Sequence, residues 1–262
     1  MAGNPRRPSI ASFILGGGLA PLISAGISAL IVLWTVSCYD CVLKGSTPTG
    51  DFTLTTQLSQ LIGIDPRKDH TFNLQAIGGI MGYVVMSTLC TSLDVLTWAL
   101  GTAPSWKVQG TRSMFTPREW LTAFGVSALN MLAFSWLATV PSYHLQRSGL
   151  LRGGTPMPGF LDAWEPGAAL AHIAAMGVFI DAWFYTTHRL LHWQPLYRSV
   201  HKLHHRFHAP ASVASMFAHP LEYVVGNSLG VVLGPALTNC HPYTGCFWLA
   251  FSLVSTGGSH CG

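Results

Sequence analysis

The feature of this sequence that most restricts its fold is a set of long apolar stretches separated by short polar segments. Four of them cover residues 12–37, 76–100, 120–143 and 167–187. Each is close to the length of about 20 residues that an α-helix needs to cross the hydrocarbon core of a bilayer. Because lipid offers no partner for backbone amides and carbonyls, each segment must close its hydrogen bonds internally. The sequence therefore predicts an all-α, polytopic membrane helical bundle that forms one membrane domain.

The composition agrees with a lipid environment. Hydrophobic residues make up 49% of the chain and charged residues only 9%, whereas soluble domains carry about 25% charged residues. The net charge of +4 is spread over several loops without a run of lysines and arginines, so a nucleic-acid partner is disfavoured. Cys38 and Cys41 form a CxxC pair, but no second pair completes a zinc site, and idle or buried thiols are the favoured interpretation.

A fifth apolar region, 221–256, is interrupted twice. Gly234-Pro235 is one interruption, and the polar stretch 239–245 is the other. Glycine and proline are the strongest local breakers of regular structure, so we expect two short helices in a hairpin or re-entrant arrangement. Its two ends, His219 and His260, would then return to the same side of the membrane.

The distribution of lysine and arginine predicts how the chain crosses the membrane. Short cytosolic loops of membrane proteins carry an excess of these residues. If the N-terminus is cytosolic, nine of them fall in cytosolic segments and five in the opposite loops, 40–73 and 146–166. The same topology puts residues 188–208 on the cytosolic face. We therefore expect a multi-pass protein whose N-terminus and histidine motifs are cytosolic.

Histidines cluster strongly after the fourth apolar stretch, where seven of the twelve lie within 32 residues. His188 and His192 are four residues apart. His201 precedes His204 and His205 by three and four residues. On a helix these spacings place side chains on one face, so each set can converge on a metal ion.

The residue types around these histidines narrow the choice of metal. Residues 188–219 contain no Asp, Glu or Cys, which disfavours calcium and thiolate-bound metals. Imidazole suits iron, zinc, copper and nickel. The pattern predicts a metal site made almost entirely of nitrogen ligands, and the alternative is a set of polar side chains at the membrane interface.

Three motifs resemble the signature of the fatty acid hydroxylase/sterol desaturase superfamily in order and spacing. They are DAWFYTTHRLLH at 181–192, HKLHHRFHAP at 201–210 and FAHPLE at 217–222. The last one is most similar to the C-4 methylsterol oxidases. Gly234-Pro235 and Ser259-His260-Cys261-Gly262 resemble later landmarks of the superfamily. The resemblance covers the chain from residue 181 onward, and it divides the sequence into N-terminal spans and luminal loops, 1–166, and a fatty acid hydroxylase-like domain, 167–262.

The resemblance implies a function that spacing alone does not. It implies a non-haem di-iron oxygenase in the endoplasmic reticulum membrane. Such an enzyme hydroxylates or desaturates a lipid with O₂, here a sterol-like one, and receives electrons from cytochrome b5 or a reductase. The reading from the residues leaves zinc open beside iron, because purely imidazole ligation accepts both metals.

The motifs and the resemblance together define the residues expected at the site. The expected metal ligands are His188, His192, His201, His204, His205 and His260. Five more are expected to be further ligands or to orient the ligand imidazoles: His208, His219, Asp181, Tyr185 and Glu222. For Asp181 the alternative is a hydrogen bond between packed helices, and for Glu222 it is a solvated charge at a helix end rather than a contact with His219.

One departure from the superfamily affects the expected ligand set. The superfamily has another HxxHH cluster after its His-Ser-Gly-Tyr element, and this sequence has none up to Gly262. Two irons with open positions for oxygen take roughly three to five protein ligands each, so we expect an incomplete, C-terminally truncated site. The alternatives to an oxygenase are a catalytically inactive or truncated paralogue that keeps the membrane scaffold, and a metal transporter or zinc sensor.

Overall fold

The computed structural model describes residues 63–64, 69–100, 115–154, 157–159 and 161–261. The expected first span, 12–37, and the Cys38–Cys41 pair lie outside them. All regular structure in the described residues is helical. Within the described ranges, three helical stretches are long and apolar enough to cross a membrane, and they overlap the other three predicted spans: Thr71–Leu96, Arg118–Ser148 and Pro166–Leu191. The predicted all-α membrane helical bundle is confirmed.

The α-helices are numbered here along the described chain. They are α1 (His70–Leu100), α2 (Pro117–Leu129), α3 (Trp136–Ser148), α4 (Pro166–Leu191), α5 (Gln194–Ser199), α6 (Pro220–Glu222), α7 (Leu229–Thr238) and α8 (Pro242–Ser259). Two π-helical segments, Asn130–Phe134 and Tyr223–Ser228, join α2 to α3 and α6 to α7. The helices α2 and α3 therefore form one long helix that is widened by a π-helical turn. The helices α6 and α7 form a second helix of the same kind.

The middle span begins at a capping box. The Thr116 hydroxyl accepts from the Glu119 backbone N–H, while the Glu119 carboxylate accepts from the Thr116 N–H at 2.9 Å. Pro117 occupies the first helical position, where its missing N–H leaves no bond unmade. These local signals fix where the span starts.

The contact between α1 and α8 depends on glycine. A Cβ atom at Gly78 would overlap the carbonyl oxygen of Cys246, and one at Gly82 would overlap that of Ala250. Small residues let membrane helices approach until their backbones touch. The two glycines, four residues apart, therefore form the face of α1 that receives α8.

The fifth apolar region forms two helices joined by a short turn, but the predicted break at Gly234-Pro235 is wrong. Pro235 lies inside α7, and the chain turns after it at Asn239, which has left-handed backbone angles (φ 51°, ψ 43°). A proline leaves the carbonyl four residues earlier without its helical donor, which here is that of Val231. The Trp248 indole N–H of α8 donates to this oxygen at 3.0 Å, so the helix continues.

The loop between the second histidine motif and α6 is held by hydrogen bonds from two spans. Tyr83 and Ser127 donate their hydroxyls to the carbonyl oxygen of Val213 at 2.9 and 3.0 Å. The buried Asn130 amide donates to the carbonyl oxygens of Met216 and Ala218, both at 2.9 Å. These bonds fix the loop that connects the second histidine motif to α6.

Candidate metal centre

The first histidine motif lies at the C-terminal end of a membrane span. His188 is in the last turn of α4, and His192 is the residue that closes the helix. Their four-residue spacing puts both rings on one side, and their Nε2 atoms are 3.2 Å apart. The structure thus brings this pair together as the spacing predicted.

The second histidine motif adopts a tighter helix than expected. Residues His201–Arg206 form a 3₁₀ helix with a kink at His205. The Nε2 atom of His201 lies 3.3 Å from that of His192 and 3.0 Å from that of His205. His201 and His205 therefore join the first motif. The ring of His204 stacks beside that of His201, at 5.7 Å and 20°, and lies outside the group.

Four imidazoles form a compact cluster, which we call the four-histidine cluster: His188, His192, His201 and His205. Each contributes one ring nitrogen, and these nitrogens all lie within 4.8 Å of one another. Metal–imidazole bonds are about 2.0–2.1 Å long, so neighbouring nitrogens on one ion are about 2.9–3.4 Å apart by the same bond lengths. The three Nε2 separations, 3.2, 3.3 and 3.0 Å, fit this range. The cluster has the size and donor set for one ion.

His204 and His260 lie next to this cluster and face each other, with ring centroids 5.4 Å apart. The Nδ1 atom of His204 is 3.1 Å from the carbonyl oxygen of Phe217. The Nδ1 atom of His260 is 2.7 Å from that of Thr256. Because a carbonyl only accepts hydrogen bonds, Nδ1 carries the proton in both rings, and each Nε2 keeps a free lone pair.

Burial keeps two of these imidazoles neutral. Removal from water, with neighbouring imidazoles adding to it, lowers the pKa of His201 to about 3. Burial also lowers the pKa of His204 to about 4. A metal binds only a neutral imidazole, so no proton has to leave these rings at neutral pH before they can act as ligands.

Glu222 contacts a different histidine from the one expected. Its Oε1 atom is 2.8 Å from Nδ1 of His201, whereas His219 uses its own Nδ1 to accept from the Leu221 backbone N–H. The Glu222 side chain is buried, with 3% exposure, and burial raises its pKa above the usual range of a carboxyl group. Sequence reasoning missed this pair because 21 residues separate its members.

The remaining expected residues lie away from the four-histidine cluster. His208 is exposed. Asp181 is exposed on α4, and its carboxylate bonds to no imidazole of the described residues. Tyr185, 60% exposed, accepts a hydrogen bond from Arg189 at 2.6 Å. Tyr197 of α5 belongs to none of the sequence motifs, but its ring stacks on His192 with centroids 5.7 Å apart and planes at 25°. No local sequence pattern predicted that Tyr197 lies at the site.

Fold and site together define a membrane helical bundle with an all-imidazole cluster of metal-binding geometry at the end of one span. Residues 173–262 match the family model described as fatty acid hydroxylase. The superfamily resemblance is thereby confirmed, and this part of the chain is similar to the fatty acid hydroxylase family.

The curated relatives agree with that assignment. The chain is 39% identical over 93 residues to fatty acid hydroxylase domain-containing protein 2 of Homo sapiens, which covers 36% of this chain and 28% of the relative. It is 31% identical over 144 residues to methylsterol monooxygenase 2-2 of Arabidopsis thaliana, covering 53% and 52%. It is 29% identical over 198 residues to methylsterol monooxygenase erg25B of Aspergillus fumigatus, covering 70% and 62%.

The matched segments therefore span 28% to 62% of the length of these relatives. The similarity to sterol oxidases is confirmed. No solved structure matches the chain.

Proposed function

We propose that this chain is a membrane-bound, non-haem di-iron oxygenase that oxidises a sterol-like lipid with O₂. The observation that carries the proposal is the convergence of the Nε2 atoms of His192, His201 and His205 within 3.3 Å of their neighbours, in a domain related to methylsterol monooxygenases. An imidazole cluster of this geometry suits iron and zinc alike, and the relatives favour the redox-active metal.

The ligand roles follow from the two groups of histidines. His188, His192, His201 and His205 would hold one ion. His204 and His260 would contribute to a second ion beside it, because each keeps a free Nε2 lone pair and their ring centroids are 5.4 Å apart. Bound iron would supply the activation of O₂ for attack on a C–H bond, which the protein side chains cannot perform themselves.

The position of the cluster suits a lipid substrate. His188 ends a span whose apolar part would lie in the hydrocarbon core, so a lipid held beside α4 can present a methyl or methylene group at the membrane surface. The first relatives named for their substrates act, by those names, on methylsterols. We therefore assign the substrate class as a sterol-like lipid carrying an oxidisable methyl group.

Exposed basic residues near the cluster suit an acidic electron donor, which we assign to the class of cytochrome b5 or a reductase. They are Arg189, Arg198, Lys202 and Arg206. Complementary charge steers and orients protein partners in this way. Together with the positive-inside pattern, these charges support our assignment of the histidine motifs and the N-terminus to the cytosolic side of the endoplasmic reticulum membrane.

The direct test is turnover. The detergent-purified chain, loaded with Fe(II) and supplied with NADH, cytochrome b5 and its reductase, is mixed with a 4-methylsterol, and oxidised products are measured by mass spectrometry. We expect O₂-dependent product from the wild-type chain and from His208→Ala, and none from His205→Ala. Iron bound to the wild-type chain without any product would overturn the proposal in favour of an inactive scaffold.

A further inference from the structure

Glu222 and His201 form a buried pair that links two separate motifs. Oε1 of Glu222 lies 2.8 Å from Nδ1 of His201, and their side chains are 3% and 0% exposed. Glu222 ends α6, whereas His201 begins the 3₁₀ helix of the second motif. Loop 211–219, fixed by Tyr83, Ser127 and Asn130, connects them. The carboxylate is thus placed against the imidazole by the tertiary fold.

The other oxygen of Glu222 has no partner. Oε2 is buried and receives no hydrogen bond from any described residue. Burying a carboxyl group is costly, and it is compensated only when its oxygens are hydrogen-bonded or paired with charge. A glutamine or an apolar side chain would fill this position at lower cost in stability. We therefore infer that a carboxylate occupies this buried position because of its contact with His201.

The side of the ring on which the proton lies decides what His201 can do. Its Nε2 faces the Nε2 atoms of His192 and His205, so it can bind a metal ion only if the proton sits on Nδ1. A hydrogen-bond acceptor at Nδ1 selects that tautomer and holds the orientation of the ring. It also makes the Nε2 lone pair a stronger ligand for a metal ion. We propose that Glu222 is the positioning residue of His201, an inference that rests on the proposed metal site.

The neighbouring histidines show why Glu222 is informative. The Nδ1 atoms of His204 and His260 face main-chain carbonyl oxygens, which no substitution removes. Of these three imidazoles, only His201 has a carboxylate at Nδ1. At His260 the Ser259 hydroxyl oxygen also lies near Nδ1, at 3.3 Å. Changing Glu222 therefore alters the orientation and basicity of one ligand while the others keep their contacts.

The experiment titrates the metal-free, detergent-purified full chain with Co(II) and follows the visible ligand-field bands of the bound ion. Glu222→Gln keeps the size and an oxygen acceptor but removes the charge, and Glu222→Leu removes the acceptor as well. Loss of such a partner typically weakens metal binding about 10–100-fold. We expect about tenfold weaker binding with shifted bands for Glu222→Gln and about 100-fold weaker binding for Glu222→Leu, on the same scale.

The matched control is Asp69→Asn. Asp69 is another buried carboxylate, 8% exposed, and it accepts from the Tyr143 hydroxyl at 2.8 Å outside the four-histidine cluster. We expect this variant to bind Co(II) as the wild-type chain does. We also expect metal-free Glu222→Gln to unfold at or above the wild-type temperature. A purely structural role of Glu222 would instead lower the unfolding temperature and leave the affinity for Co(II) unchanged.

A second measurement needs no change at Glu222. Nitrogen-15 histidine spectra of the metal-free wild-type chain, with the His201 signal assigned by its loss in His201→Gln, should show the proton on Nδ1. A proton on Nε2 overturns the inference. Wild-type affinity for Co(II) in Glu222→Gln also overturns it and leaves the proposed function standing, whereas a wild-type chain that binds no Co(II) overturns both. Weakened binding in Glu222→Gln without sterol turnover by the wild-type chain overturns only the proposed function.

Discussion

The Nε2 atoms of His192 and His201 lie 3.3 Å apart, although one residue closes a membrane span and the other begins a 3₁₀ helix. This contact joins the two histidine motifs into one cluster. Two imidazole nitrogens that both carry lone pairs repel each other at this distance. The approach is favourable only when a proton or a metal ion lies between or beside them. The geometry therefore fits either a hydrogen bond between the two rings or two ligands of one cation.

Replacing Gly82 by alanine should destabilise the bundle. The new methyl group would meet the backbone carbonyl of Ala250, so α1 and α8 must move apart. Overpacking of this kind costs about 1–3 kcal/mol in the free energy of unfolding. Thermal unfolding in detergent should show a lower midpoint. Gly125→Ala is the control, since outside its own helix backbone no described atom lies within 4 Å of the added carbon. An equal loss in both variants would contradict the close contact.

The hydrogen bond from Trp248 to Val231 should matter only because of Pro235. Trp248→Phe leaves the carbonyl of the half-buried Val231 without this donor, and a carbonyl left unsatisfied away from water costs about 1–3 kcal/mol. In Pro235→Ala the new backbone N–H can donate to the same oxygen. We therefore expect Trp248→Phe to cost less in that background. A double-mutant cycle measured by thermal or chemical unfolding tests this coupling, and strictly additive effects would refute it.

The metal-free protein should lose stability as the pH falls through the range set by His204. Burial holds the pKa of His204 at about 4, below its value of 6.5 in water. Between these values the unfolded chain binds a proton that the folded chain excludes, so the free energy of unfolding falls as the pH drops from 6.5 to 4. Above pH 6.5 the effect is absent.

The pH effect of His204 is measured by unfolding midpoints in detergent between pH 7.5 and 4.5. His204→Asn should show a shallower decline than the wild-type chain, because it has no proton to gain at that position. The exposed His208 provides the control, and His208→Asn should keep the wild-type decline. Parallel declines for wild type and His204→Asn would contradict the burial of that ring.

Hydropathy and residue spacing predicted the membrane spans and the contacts between residues one helical turn apart. The spans follow from hydropathy, and the pairing of His188 with His192 follows from the pitch of an α-helix. The break at Gly234-Pro235 was wrongly predicted because Trp248, from another helix, supplies the missing donor. The contact of Glu222 with His201 was missed for the same reason, since a loop held by other spans creates it. Sequence periodicity carries no information about such tertiary partners.

The measurement that tests the metal site most directly is the iron content of the chain after anaerobic loading with Fe(II) and removal of free metal. We predict at least about one iron per wild-type chain, and a similar amount in His208→Ala. For His192→Ala we predict at least a tenfold weaker affinity, because a ligand of the four-histidine cluster is lost. Wild-type iron binding by a folded His192→Ala protein would contradict the four-histidine cluster as the metal site.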